Sequence, residues 1–234
     1  MKPKDLKVPF SWEDRHVFVA DRVWYVPDYH HSYDEYHFPG WQDALFFGND
    51  NPVHVEYCTG NGAWIADKAR YHPGINWVAV EKRFDRVRKI WSKIKNFALS
   101  NLVVICGEGY TATHQYFHDR SIAAVYINFP DPWPKARHHK HRLMHPAFVE
   151  EMWRILEDEG TLILVTDDQE YSEVSIDNLC DHGGFHSIIP EPLWVDELPG
   201  YGSSYFEALW RHKGRRIRFH QFAKRGLVFD GDRR

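Results

Sequence analysis

Between Pro52 and Phe222, short apolar runs alternate with stretches of helical spacing, and no other feature constrains the fold as tightly. Val53–Tyr57, Asn76–Glu81, Leu102–Cys106, Ala123–Asn128 and Thr161–Thr166 read as strands, the last entered through an Asp158-Glu159-Gly160 turn. Helical patterns follow at Ala63–Tyr71, Phe84–Phe97, Thr111–His118, Pro146–Leu156 and Gln169–Asp181, with less regular strands at Phe185–Ile189 and Arg216–Phe222. Strands without an exposed polar face, each followed by a helix, make parallel βαβ units. The expected class is α/β, a Rossmann-like, mostly parallel, doubly wound sheet. Residues 1–50 carry aromatics and acids (Trp12, Trp24, Tyr25, Tyr29, Tyr33, Tyr36, Trp41) without clean period. They read as an N-terminal extension packed on, or arching over, one domain spanning 51–234.

A doubly wound sheet binds ligands beyond the carboxyl ends of its strands. An acid ends or follows each strand there: Glu56, Glu81, Glu108, Asp131 and Asp167. Any one of them suits a helix cap or turn; together they line one rim. Between the first strand and helix lies Glu56-Tyr57-Cys58-Thr59-Gly60-Asn61-Gly62, whose glycines let backbone approach a ligand. The third glycine of a dinucleotide fingerprint is missing, and Glu56 and Asp67 suit a pyrophosphate poorly. Glu81 stands about 20 residues on, where a carboxylate accepts from both ribose hydroxyls. A nucleoside without phosphates fits better than NAD, and S-adenosylmethionine, whose sulfonium tolerates acidic neighbours, is such a molecule.

The fourth strand stops at Phe129-Pro130-Asp131-Pro132-Trp133-Pro134. Each proline lacks an amide donor and drives its predecessor into extended geometry, so the segment is a stiff loop. Lys135, Arg137, His138, His139, Lys140, His141 and Arg142 follow with no acid among them. The chain as a whole is weakly acidic, at −4, so nucleic-acid contact requires local patches of this kind. A second runs from Arg211 to Arg234. Three scattered cysteines (Cys58, Cys106, Cys180) match neither a disulfide framework nor paired zinc spacing, which points to a reducing, cytoplasmic setting. His141 and His145 are four apart, but Pro146 interrupts the region and no metal is expected. No apolar run is long enough to span a bilayer, and no signal peptide opens the chain.

From about Pro52 to Phe222 the sequence resembles the bacterial tRNA (guanine-N7-)-methyltransferases. FPDPWPKARHHKHR matches that family's proline loop and basic run, supported by Glu56 with Gly60 and Gly62, Glu81, Glu108, Thr166-Asp167 and Ser204-Tyr205-Phe206-Glu207. The resemblance implies a Rossmann-like methyltransferase that uses S-adenosylmethionine and targets N7 of a guanine in the tRNA variable loop. It further implies that Glu56, Gly60, Gly62, Glu81, Glu108 and Asp131 bind the cofactor and that Asp131 is catalytic. Lys135, Asp167, Ser204, Tyr205, Phe206 and Glu207 would bind substrate, and Arg137, His138, His139, Lys140, His141 and Arg142 the RNA. Five departures stand out: Tyr57 for an aliphatic residue, Cys58 for glycine, Glu108 for aspartate, His141 for arginine and Ser204 for threonine. Cys58 is compatible with the site if its backbone keeps negative φ.

Guanine N7 carries a lone pair and no proton, so its methylation needs no general base. It needs positioning, and a fixed carboxylate where positive charge grows on the purine. Asp131 suits that role, and Asp167 or Glu207 is a candidate to accept from the N1 and N2 protons of guanine. Trp133 reads either as a stacking platform or as a packing residue. Three rival readings remain: a methyltransferase of the same fold for another acceptor, a tRNA-binding protein with weakened or lost catalysis, and, more distantly, an NAD enzyme. Monomer and homodimer are equally compatible with the sequence.

Overall fold

A computed structural model describes residues 1–9, 15–28 and 35–226. Trp12, Tyr29, Tyr33, His30-His31, Arg233 and Arg234 lie outside the described residues. Nine strands form one sheet in the order β1-β2-β5-β4-β3-β6-β7-β9-β8. The strands are β1 (Phe18–Ala20), β2 (Val23–Val26), β3 (Val53–Tyr57), β4 (Asn76–Glu81), β5 (Leu102–Gly107), β6 (Ile122–Asn128), β7 (Leu156–Thr166), β8 (Phe185–Ser187) and β9 (Arg218–Lys224). β2 through β7 pair in parallel, while β1, β8 and β9 run antiparallel to their neighbours. Helices α1 (Ala63–Tyr71), α2 (Phe84–Asn96), α3 (Gly109–Tyr116), α4 (Pro146–Ile155) and α5 (Gln169–His182) connect the parallel strands and the edge, and α6 (Tyr205–His212) precedes β9.

The chain steps from β3 outward to β5 and then returns to lay β6 on the other side of β3. That reversal opens a crevice at the strands' carboxyl ends. Central strands are buried on both faces: every residue of β4 is buried, as is most of β3 and β6. Two core clusters result, one containing Val55, Val125, Phe148 and Leu164, the other Ile65, Ala79, Ile90 and Val104. Gly62 explains how tightly α1 meets α2. It starts α1 at φ +70°, and a Cβ there would come within 2.5 Å of Ile90.

Three parts of the architecture differ from the sequence expectation. Val23–Val26 pairs with β5 and extends the sheet, although the surrounding aromatics have no strand period. The reason is an aromatic cluster: Trp24 packs on Phe38 (4.9 Å between centroids) and Phe46 (5.0 Å), and Trp41 on Phe117 (5.0 Å). The Asp158-Glu159-Gly160 turn lies inside β7, where the register shifts between Ile122 and Ala124 and Glu159 takes φ +65°. A bulge absorbs the turn signal without ending the strand. Finally, β9 runs to Lys224, whose buried ammonium donates to the Leu156 carbonyl at 2.6 Å. Among the described residues no helix is long and apolar enough to cross a membrane.

Candidate active site

A cleft of about 540 Å³ lies at the carboxyl ends of β3, β4, β5, β6 and β7. Cys58, Glu81, Glu108, Asp131, Trp133, His141 and Asp167 line it, so strand ends distant in sequence meet on one rim. Beside it is a pocket of about 20 Å³, lined by Glu56, Thr59, Asn128, Ser204, Tyr205 and Phe206 among others. That is room for about one water.

The acids on the β4 and β5 side are anchored by main chain. Glu81, which is buried, accepts from the Arg83 amide through Oε1 (2.9 Å) and from the Gly60 amide through Oε2 (3.0 Å). Arg86 approaches the same Oε2 at 3.5 Å. Gly60 itself stands at φ +63°, with the Phe206 ring 3.2 Å from where a Cβ would be. Glu108 is the N-cap of α3, accepting from Tyr110 N (3.1 Å), Thr111 N (2.7 Å) and the Thr111 hydroxyl (2.9 Å). It therefore caps a helix and faces the cleft at once. Each carboxylate oxygen can accept two bonds, so Oε2 of Glu81 and of Glu108 is filled and Oε1 of each keeps capacity for one more donor.

Glu56 sits apart from the other acids. It borders only the small pocket, and it is buried with Oε1 accepting from Asn128 Nδ2 at 2.7 Å and Oε2 without a partner. The Tyr201 hydroxyl donates to Asn128 Oδ1 (2.9 Å), and Trp64 Nε1 donates to the Tyr201 carbonyl (2.9 Å). Burial pushes the Glu56 carboxyl up to about 8, so it holds its proton at neutral pH.

On the β6 side, Asp131 is exposed between Pro130 and Pro132 and has no hydrogen bond or ion pair among the described residues. The loop is held from behind. Arg142, buried, donates from Nε to the Pro132 carbonyl at 2.7 Å and from Nη2 to Glu170 Oε1 at 2.9 Å. Arg142 thus departs from the RNA-binding expectation: its guanidinium is turned inward and committed to the loop. The cationic run forms a 3-10 turn, Ala136–His141, with Arg137 and Lys140 exposed and His138 and His139 half-buried. Trp133 packs between His138 (5.6 Å) and His141 (5.4 Å) while lining the cleft. Lys135 is exposed at the start of this turn, outside the cleft lining.

Cys58 departs from the negative φ that suits a side chain: it stands at +60°. Phe129 (+49°) and Trp133 (+43°) share this left-handed geometry at the same rim. Such residues are costly and cluster where a site demands a particular backbone path. Burial, and after it the carboxylates of Glu81 and Asp131, push the Cys58 thiol up, so it is protonated and unreactive.

Asp167 lines the cleft and is ion-paired to Arg215. Glu207 does not line it: Oε2 accepts from Ser204 N (3.4 Å), Oε1 accepts from Arg211 Nε (3.1 Å), and Ser204 Oγ accepts from Glu207 N (3.1 Å). Ser204–Glu207 is thus the capping box of α6, with only Phe206 reaching the large cleft. Of the two acids considered for the guanine edge, only Asp167 lines the cleft. Lys82, Arg83, Arg86, Trp210 and Arg215 line the cleft without having been singled out. Only Arg215 had a sequence signal, its place in the basic C-terminal stretch. No cluster of three His, Cys, Asp or Glu suited to a metal occurs among the described residues.

The donor set fits S-adenosylmethionine. Glu81 and Glu108 line the cleft with carboxylates oriented by main-chain donors. Gly60 and Gly62, expected to touch the cofactor, line neither pocket: Gly60 donates its amide to Glu81 and Gly62 packs on Ile90.

Residues 50–219 match the family model described as "Putative methyltransferase". A tRNA (guanine-N(7)-)-methyltransferase of Chlamydia muridarum is 47% identical over 225 residues, spanning 96% of this chain and 99% of the relative. Its namesake in Staphylococcus aureus is 32% identical over 172 residues, 74% of this chain and 80% of the relative. Among solved structures, the 16S rRNA methyltransferase KamB matches with TM-score 0.55 at 12% identity (76% of this chain, 90% of that one). The antibiotic-resistance methyltransferase Kmr matches at 0.52 and 19% (75% and 87%). At these identities the structural matches speak for the fold alone, which is that of S-adenosylmethionine-dependent methyltransferases. The chain belongs to the tRNA (guanine-N(7)-)-methyltransferase family.

Proposed function

We propose that this chain transfers a methyl group from S-adenosylmethionine to N7 of a guanine in tRNA, the variable-loop guanine in particular. The observation that carries this reading is an unpartnered carboxylate, Asp131, sharing a cleft with Glu81 and Glu108 and adjoining a cationic turn. Glu81 would hold the ribose hydroxyls, with Glu108 facing the rest of the cofactor pocket and Gly60 steadying Glu81 through its amide. The bound cofactor supplies a methyl group already activated by the sulfonium charge.

Asp131 then places fixed negative charge where the purine becomes positive, and this matters most in the transition state. Asp167 accepts from the N1–H and N2–H groups, which adenine does not present in that pattern. Arg215 must share or release Asp167 for this to happen, and its exposed position permits it. Trp133 offers a face for an unstacked base, worth about 1–3 kcal/mol. Lys135, Arg137, Lys140 and the histidines of the turn lie where the RNA backbone would pass. Residues 1–50 serve as an extension to the 51–234 methyltransferase domain, and a cytoplasmic setting suits the substrate.

The direct test is incubation with unmodified tRNA and labelled donor, followed by reduction and aniline cleavage at 7-methylguanosine. Label without cleavage at a variable-loop guanine would reassign the target atom. Cys58 at φ +60° favours one second reading, a tRNA-binding protein with weakened catalysis. Calorimetry with S-adenosylhomocysteine separates the two, since a lost cofactor site gives no heat.

A further inference from the structure

The last turn of α6, the loop after it and the start of β9 carry a feature that the cleft chemistry does not use. Trp210 bears two cations on its ring, Lys213 Nζ at 4.5 Å and Arg215 Cζ at 4.2 Å from the centroid. Trp194 bears two more, Arg216 at 4.3 Å and Arg218 at 5.2 Å. Lys213, Arg215 and Arg216 are exposed. Carboxylates accompany only some of them: Asp196 pairs with Arg216 and Asp167 with Arg215, whereas Lys213 and Arg218 have none among the described residues. The bank is therefore net positive.

Its position is as informative as its charge. Trp210 and Arg215 line the same cleft as Trp133 and His141. The cleft thus meets cationic chain at two places distant in sequence, the 3-10 turn and, through Trp210 and Arg215, the tryptophan-backed bank. A cation resting on an indole face is oriented at low entropic cost. Lys213 has no carboxylate partner among the described residues, whereas Arg216 places Nε and Nη2 on Asp196 and keeps Nη1, and Arg215 places Nη1 on Asp167 and keeps Nη2.

We propose that Trp194, Trp210, Lys213, Arg215, Arg216 and Arg218 form a second RNA-backbone site, gripping the phosphates on the side of the target nucleotide opposite the 3-10 turn. The two banks hold the strand across the cleft, so the extruded base descends between them toward Asp131 and Asp167. This rests on the tRNA reading above.

Filter binding of tRNA at a series of salt concentrations tests it, comparing the wild-type chain with the Lys213→Gln/Arg216→Gln double variant. Each lost phosphate contact should flatten the log Kd–log salt slope by about 0.7–0.9, and the pair should weaken binding roughly tenfold or more at low salt. S-adenosylhomocysteine affinity should not change. Wild-type slope and affinity in the folded double variant overturn the proposal while leaving the tRNA reading intact. Failure of the wild-type chain to bind tRNA at low salt overturns that reading itself. A measurement independent of any variant is acetylation of Lys213 in the wild-type chain, read by mass spectrometry with and without tRNA. Protection supports the site; equal acetylation, with Lys140 protected, overturns it.

Discussion

On the β4–β5 bank of the cleft, Glu81 and Glu108 have their oxygens tied down by backbone N–H groups from Gly60, Arg83, Tyr110 and Thr111. On the β6 bank, Asp131 has no such partner, and rigidity comes from flanking prolines and from Arg142 gripping the Pro132 carbonyl behind it. The contrast separates two ways of making a carboxylate useful. One is held by its own hydrogen bonds, which suits the proposed grip on hydroxyl donors. The other is held by its backbone and has no partner of its own, which suits the proposed role opposite a purine that becomes cationic during reaction.

The comparison breaks most visibly at Asp131. Asp131→Ala should lower single-turnover methyl transfer about 10²- to 10³-fold, with tRNA affinity by filter binding nearly unchanged. Comparable losses in both would make Asp131 a binding group. Glu81→Ala should do the reverse, weakening S-adenosylhomocysteine about 10- to 100-fold by calorimetry, as expected for a charged hydrogen-bonding group, while sparing tRNA binding. If the loss falls on tRNA, the assignment of the two banks is wrong.

Arg142→Ala sharpens the distinction, because it touches no ligand in this scheme. It frees the Pro132 carbonyl and Glu170, at a cost of about 1–3 kcal/mol in stability by denaturant titration. Turnover should fall while cofactor affinity holds, and Arg142→Lys, which keeps one donor, should recover part of it. Loss of tRNA affinity with full turnover would return Arg142 to the RNA-contact role.

The remaining effect, on stability, concerns Glu56. Its folded pKa of about 8 lies above the unfolded value of 4.5, so between those two pH values the folded chain keeps a proton that the unfolded chain has lost. Stability from this group therefore falls as pH rises through that window and levels off above about 8. The melting temperature of Glu56→Gln, relative to wild type, should rise steadily between pH 5 and pH 8, by roughly ten degrees, and then stay constant. A gap independent of pH would mean that Glu56 is ionised in the fold.

The alternation of strands and helices from Pro52 onward was enough to determine the parallel sheet, because buried βαβ units write their period directly into local composition. The proline loop was legible only in part. The prolines end the strand as expected, but Phe129 and Trp133, each before a proline, stand at φ +49° and +43° instead of the extended geometry expected of them, and the loop is also held by Arg142 on the Pro132 carbonyl. Asp131, Glu81 and Glu108 could be placed on one rim by topology alone, since strand ends in such a sheet share an edge. What no local pattern carried was how side chains are shared out. Arg142 and Lys140 are near neighbours in one cationic run, yet one is buried beneath a carbonyl and the other faces solvent. Only packing against α5, which brings Glu170 and Tyr171 beneath the loop, distinguishes them. Glu56 and Glu81 are both strand-end acids, but the Asn128–Tyr201 hydrogen bonds come from 72 and 145 residues further along and withdraw only the first from the cleft. The β1–β2 hairpin belongs with these cases, because its short segments have weak intrinsic preferences and aromatic contacts formed in the folded chain settle its structure. The start of α6, by contrast, is a local capping box, Ser204 to Glu207, that the sequence carries itself.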